Sequence, residues 1–137
     1  MKAVVVALLF LHGAIHLLGF VKAFRIAELP LLQQSISRSL GLLWLAAALA
    51  LFASGYLLVL SERHWWMVAL PALIASQIAI VASWHDAKIG TIANAILLFP
   101  LALALLELRS TSFTSIYRAE VGRALAESRA LTGNATS

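Results

Sequence analysis

Of the chain's 137 residues, 62% are hydrophobic and 12% charged, with 10 basic side chains, 6 acidic ones, four histidines and no cysteine. Soluble domains carry about a quarter charged residues, so this balance excludes an ordinary aqueous fold, and the missing cysteines exclude disulfides, thiolate metal sites and thiol catalysis. The net charge of +4 does not signal a nucleic-acid partner, because the basic residues are spread thinly along span ends and the tail, where anionic headgroups and topology account for them.

Charge segregation sets the elements. Residues 39–60, 65–84 and 92–106 contain no Asp, Glu, Lys or Arg, and the only titratable side chains in residues 3–21 are two histidines. A helix needs about 20 apolar residues to cross a hydrocarbon core about 30 Å thick. Four spans follow, at about 3–24, 40–60, 65–84 and 92–108. The expected fold class is all-α, an integral membrane four-helix bundle over residues 1–108 with a short C-terminal amphipathic helix in a tail over 109–137.

Span one carries His12-Gly-Ala-Ile-His16 and runs on through Gly19 to Ala23. Histidines at i and i+4 share one helix face, which Gly19 and Ala23 prolong. Imidazole is costly in lipid and turns towards a bundle interior, so His12 and His16 mark a functional-site hypothesis. Lys2, the apolar run Val4–Leu11 and the triplet Val21-Lys22-Ala23 imitate a secretory signal with its small-residue cleavage site. The histidines interrupt that core and the triplet lies far beyond it, so the segment reads as a retained span. In the first loop Leu29, Leu31 and Leu32 are too apolar for free solvation, which predicts a segment lying on the bilayer surface or capping the bundle.

Span two spaces Ala46, Ala50 and Ser54 at four-residue intervals, a pattern that lets helices approach closely in lipid. Ser61-Glu62-Arg63-His64 reads as a tight turn, which makes spans two and three antiparallel neighbours. Trp65, Trp66 and Trp84 bracket span three as an interfacial aromatic belt. Its small stripe is Ala75, Ala79 and Ser83, and Gln77 is its one strongly polar interior side chain. The third loop, residues 85–91, is short and polar. Span four carries Asn94 one turn in and Pro100 at its middle, where the carbonyl freed four residues earlier predicts a kink. In the tail, Ile116, Tyr117, Val121, Ala124, Leu125 and Ser128 share a face opposite Arg118, Glu120, Arg123 and Glu127, as in a helix lying on a membrane surface.

With four spans, the first and third loops lie on the same side of the membrane. At a rise of about 1.5 Å per residue, His16 and Gln77 sit at similar depths below that side, with Asn94 nearer to it. Lys22, Arg25, His85, Asp86 and Lys88 ring the mouth, and Asp86 is expected to pair with Lys22, Arg25 or Lys88. The candidate ligand-binding residues are His12, His16, Gln77, Asn94, Lys22, Arg25, His85 and Asp86.

Their chemistry stays open at this point. Two histidines four apart could share a metal ion, but further ligands are wanting unless His85 and Asp86 fold inward, so a metal is left undetermined. A bis-histidine haem is excluded because two residues on one helix cannot flank a macrocycle, whereas a single-ligand haem remains open. A descending His, Gln and Asn chain also suits a ligand or proton pathway, and plain interhelical hydrogen bonding requires no ligand. No nucleophile–base set and no glycine-rich phosphate loop is present, so no catalytic residue is assigned.

The segments His12-Gly-Ala-Ile-His16-Leu-Leu-Gly-Phe-Val-Lys-Ala-Phe24, Ile36-Ser-Arg-Ser-Leu-Gly-Leu-Leu-Trp44, Ser76-Gln77 and Trp84-His-Asp-Ala-Lys-Ile-Gly-Thr-Ile-Ala-Asn94 resemble a family of small bacterial four-span membrane proteins, loosely similar to the DoxX-like proteins. The similarity covers the four spans and Tyr117-Arg-Ala-Glu-Val121. Some relatives continue into an extramembrane domain beyond that stretch. The family is known mainly for proteins of unknown function, so it carries no catalytic role to any residue.

The expected function is an integral membrane accessory or small-ligand-binding protein of the bacterial inner membrane, not an enzyme, with a polar pocket lined by His12, His16, Gln77 and Asn94. The alternative is a redox component (haem or quinone) or a proton-coupled transport component using the same residues. Expected partners are the lipid bilayer and either a membrane-protein partner or a second copy of the chain. Lys2, Arg63, Arg109, Arg118 and Arg123 on the side of the termini outnumber Lys22, Arg25, Arg38 and Lys88 on the other, which favours cytoplasmic termini under the positive-inside rule.

Overall fold

The computed structural model describes residues 2–30, 32–60 and 64–134, with the backbone alone for residues 108–113, 126 and 128–134. Its helices are α1 (Lys2–Ala23), α2 (Arg38–Leu60), α3 (Trp65–Ala82), the single turn α4 (Trp84–Ala87) and α5 (Gly90–Asn134), and no strand occurs among the described residues. Four stretches are long and apolar enough to cross a membrane: Lys2–Ala23, Arg38–Leu60, Trp65–Ala82 and Gly90–Glu107. Helix is the form these sequences must take in hydrocarbon, because only there does each segment satisfy its own backbone donors and acceptors. The expected four-helix membrane bundle is the architecture observed.

The chain forms two units, Met1–Ala102 and Leu103–Ser137. The first holds α1 to α4 and the opening turns of α5. In the second, the tail is helical as expected, but its helix is the continuation of α5 through residue 109 and not a new element. Nothing in residues 105–112 breaks it, since neither glycine nor proline occurs there. Ile116, Tyr117, Val121 and Leu125 are exposed within this unit, and Ser128 lies outside the described side chains.

Helix spacing selects the buried faces of the first unit. On α1 they are Leu9, His12, Gly13, His16, Gly19 and Ala23, so the stripe read from the two histidines is the packed one. On α2 the buried residues are Gly41, Trp44, Ala47, Ala48, Leu51, Ser54, Gly55 and Leu58. That face is rotated from the expected one: Ala46 is exposed and Ala50 only half-buried. The reason is Trp44, whose large ring needs burial more than alanines do and pulls its own stripe inward. On α3 Ala79 and Ser83 are buried but Ala75 is only half-buried, and the face is completed by Ala69, Ala72, Leu73, Ser76 and Ile80. Trp65 belongs to the core, at 5% exposure, leaving half-buried Trp66 and exposed Trp84 as the outward-facing indoles.

Two close approaches set the α1–α2 seam. A Cβ on Gly19 would fall inside the Trp44 indole, and one on Gly41 would collide with the Ala23 methyl. Neither residue could be larger without parting the helices. The tight turn expected at Ser61-Glu62-Arg63 lies outside the described residues, as does Leu31. The expected third loop begins instead with a helical turn: Ser83 leaves the helix at φ −118° and ψ 35°, and α4 follows at once. Helix continues through both Pro71 and Pro100, so neither proline ends its span.

The end of α1 is also well defined. Ile26 N–H donates to the Val21 carbonyl at 3.0 Å and Arg25 N–H to the Lys22 carbonyl at 3.1 Å. This is the paired bonding of a Schellman ending, which places one residue in the left-handed region. Here that residue is Arg25, with φ 55°, a conformation that glycine adopts without steric penalty.

Replacing Gly19 by Ala should cost about 1–3 kcal/mol, since the added methyl has no space that buried Trp44 can vacate. Thermal unfolding in detergent checks this, and an unchanged midpoint would contradict the packing. Arg25→Gly should stabilise by about 0.5–1 kcal/mol, the left-handed strain relieved less the added freedom of the unfolded chain. A lower midpoint for that variant would show that the Arg25 side chain contributes more than its backbone costs.

Candidate functional site

Two buried polar side chains, Ser76 and Asn94, converge on buried His12. Its Nε2 lies 2.8 Å from Asn94 Oδ1 and 3.1 Å from Ser76 Oγ. Ser76 Oγ donates to the same Asn94 oxygen at 2.9 Å. Asn94 Nδ2 donates to Gln77 Oε1 at 2.9 Å, and Gln77 Nε2 donates to Thr91 Oγ1 at 3.2 Å. The network joins α1, α3 and α5 and assigns the tautomer of neutral His12. An amide oxygen only accepts, so Nε2 carries the proton and Nδ1 keeps the lone pair.

That Nδ1 has no partner. Neither do both ring nitrogens of His16, the indole Nε1 of Trp44 or the hydroxyl of Ser83, although all are buried. The His12 carbonyl, one turn before His16, approaches its ring without reaching hydrogen-bond geometry. His16 is 1% exposed and Trp44 3%. The rings form a contiguous row, with centroids 4.6 Å apart between His12 and His16 and 4.8 Å apart between His16 and Trp44. Leaving such groups unpaired costs about 1–3 kcal/mol each, so a row of them without partners is a departure from ordinary packing.

Beside this row is a cavity of about 200 Å³. His12, His16 and Trp44 line it together with Ile15, Leu18, Leu32, Ile80, Ile89 and Ala93, while Asp86, Ala87 and Gly90 complete the wall. Gly90 permits the approach of α5, for a Cβ there would lie 2.8 Å from Ile80 Cδ1 and 3.8 Å from His12 Cε1. The expected polar pocket is therefore an almost wholly apolar one, beside which the ring row packs.

The first loop is tied across the structure near this cavity. Gln34 N–H donates to Asp86 Oδ2 at 2.6 Å, Gln34 Nε2 donates to the Ala82 carbonyl at 3.3 Å, and Lys22 Nζ donates to the Leu32 carbonyl. Leu32, between the ties, supplies part of the lining. The loop thus packs against the bundle, in keeping with its apolar composition. Asp86 does not pair with Lys22, Arg25 or Lys88. Its partners are the Gln34 amide and, at 3.0 Å, His85 Nδ1. The backbone amide is fixed by the chain, whereas a lysine or arginine must order a long side chain to reach the carboxylate. The Asp86 side chain is 5% exposed and that of His85 76%.

The expected site residues thus divide. His12, His16 and Asp86 line the cavity; Asn94 and Gln77 are held in the network on the other ring nitrogen of His12. Lys22 and Arg25 line a separate open depression with Glu28 and Arg38, and His85 points to solvent. Among the described residues no group of three His, Cys, Asp or Glu could hold a metal ion, so the two-histidine metal site gains no further ligand. Ser76, Thr91 and Trp44 are not among the site residues expected from the sequence. Ser76 adjoins Gln77 and falls on the packed face of α3, a usable signal. Trp44 could have been found from the glycine on the histidine stripe, which implies a large ring opposite.

The hydrogen bond from His85, and then that from the Gln34 amide, holds the Asp86 carboxyl below its ordinary value of 3.8. A depressed carboxyl stabilises above its unfolded value, and that contribution is lost as pH falls from 3.8 through the lower folded value. The Gln34 amide proton should therefore titrate with a midpoint below the ordinary carboxylate value, and Asp86→Ala should speed its hydrogen exchange at neutral pH. An amide resonance that titrates at the ordinary value or not at all would refute the tie.

Comparison with protein families, curated proteins and solved structures finds no match to this chain.

Proposed function

We propose that this chain is a membrane protein that binds a small ligand in the cavity beside His12, His16 and Trp44. The observation that carries the reading is His16, a residue that lines a cavity while both of its ring nitrogens are buried without any partner. A histidine serving as interhelical glue would spend a nitrogen on a neighbouring helix, as His12 does. Asn94, Ser76 and Gln77 act as positioning residues in this reading, since they hold His12 and do not line the cavity.

The redox and transport alternatives gain less support. A cavity of about 200 Å³ falls below the about 300–1,000 Å³ of sites for drug-sized ligands, which suits a single ring better than a porphyrin. The chain of contacts leading from His12 runs through two amides, which do not titrate and make a poor proton relay. The reading also includes a bacterial inner membrane, cytoplasmic termini and kinship with the DoxX-like proteins, supported by the charge balance of the span ends and by the motifs around His12, Trp44 and Asn94.

His16→Gln separates ligand binding from structure. His16 makes no hydrogen bond, and even a single interhelical one averages about 0.6 kcal/mol in membranes, so the variant should melt as the parent does. Mass spectrometry of the small molecules released on denaturation should find a compound carried by the parent and depleted from the variant. Equal small-molecule content in two equally stable proteins would overturn the proposal.

A further inference from the structure

We infer that the open depression between the end of α1 and the start of α2 binds the phosphate group of an anionic glycerolipid, at a site separate from the cavity beside His16. The depression encloses about 960 Å³ and its wall is as polar as it is apolar. Three cations, Lys22, Arg25 and Arg38, line it with one carboxylate, that of Glu28. Arg25, Glu28 and Arg38 are exposed, and among the described residues no ion pair or hydrogen bond engages their side chains. Lys22 Nζ donates to the Leu32 carbonyl and has further N–H donors to give.

Helix polarity separates these cations. Lys22 and Arg25 sit at the C-terminal end of α1, where the negative pole of the helix favours positive charge without any ligand. Arg38 has the opposite placement. It is the first residue of α2, at the pole that repels a cation, and the other two cations line the same depression. An anion there offsets both costs. It also suits the first turn of α2, whose N–H groups have no intrahelical acceptor. Ser37 serves two of them, its Oγ accepting from Leu40 N–H at 3.2 Å and its carbonyl from Gly41 N–H at 2.8 Å. Arg25 adds an independent observation. Its φ of 55° is the left-handed conformation that suits glycine, and such strain at a non-glycine residue points to a role for its side chain.

The donors select the anion. A guanidinium offers parallel N–H groups that match the oxygens of a phosphate. Two guanidiniums, an ammonium and the Ser35 hydroxyl supply more donors than one carboxylate can use. The apolar half of the wall selects the source. Phe24 and Ile26 line the depression and are exposed, next to the end of a helix long and apolar enough to cross a membrane. A free phosphate would leave these side chains in water, whereas the glycerol and acyl chains of a lipid cover them. A zwitterionic lipid brings its own cation and gains less from the site.

Native mass spectrometry of the protein released from detergent counts the lipids that stay bound. Titration with phosphatidylglycerol, and with phosphatidylcholine of the same acyl chains, compares an anionic headgroup with a zwitterionic one. The expected result is one phosphatidylglycerol per chain, half-saturating at a concentration about tenfold lower than phosphatidylcholine, the factor for one charge-assisted hydrogen bond. Arg25→Gln combined with Arg38→Gln should abolish that preference, and Arg38→Gln alone serves should the double variant not fold. Lys88→Gln, which removes an exposed cation outside the depression, should leave the preference unchanged. Equal retention of the two lipids, or the same loss of preference in the Lys88 and arginine variants, overturns the site and leaves a diffuse basic surface. Displacement of phosphatidylglycerol by inorganic phosphate at equal concentration overturns the lipid assignment and makes the depression a site for free phosphate.

Discussion

In hydrocarbon a polar side chain has no water to fall back on, so each one must find a partner within the protein or carry its desolvation cost. The bond between His12 Nε2 and Asn94 Oδ1, at 2.8 Å, answers that constraint in this bundle, and much else depends on it. It draws the first turns of α5 against α1. With Ser76 and Gln77 it also brings in α3, so three helices meet at one carboxamide. The buried residues of α5 within the first unit, Asn94, Leu97 and Leu101, follow one helical stripe, and Asn94 is its polar anchor. By consuming Nε2, the same bond leaves His12 with a lone pair and no proton on its other nitrogen.

Close packing on the other side of α1 has a comparable reach. Without a hydrophobic effect to drive helices together in lipid, contact area and shape decide which faces meet. The missing side chain of Gly19 admits the Trp44 indole, and the small Gly41 and Ala23 let the backbones approach beside it. Trp44 thereby serves two ends. Its ring fills the α1–α2 seam and stacks at a tilt on His16, and the residue also lines the cavity. Packing and site are built from the same residue, so disturbing one disturbs the other.

The mouth of the cavity shows how an apolar loop is held. Leu32 joins the lining, and the polar ties around it go to backbone groups: Gln34 N–H to Asp86, the Gln34 amide to a carbonyl, and Lys22 to the carbonyl of Leu32. Backbone partners suit a loop at a membrane surface, because they are fixed in place and would otherwise require solvation of their own. Charge pairing between span ends, the simpler expectation, loses to them.

The sequence by itself determined the fold class, because four charge-free stretches of span length admit only helices in a bilayer. It also determined the face of α1, since two imidazoles four residues apart must turn away from lipid, and it identified the polar groups that lie near one another. The face of α2 was not legible, because alanines recur on several sides of that helix and periodicity alone cannot choose among them; the bulk of Trp44 made the choice. The continuity of α5 was obscured by the change in composition at Arg109, which marks a change of surroundings without marking a break in the helix. Only the tertiary structure decided that His12 and His16 have different lots, one bonded to Asn94 and the other unpaired. Sequence spacing places side chains on a face, whereas partnership depends on what the neighbouring helices bring to the same point in space.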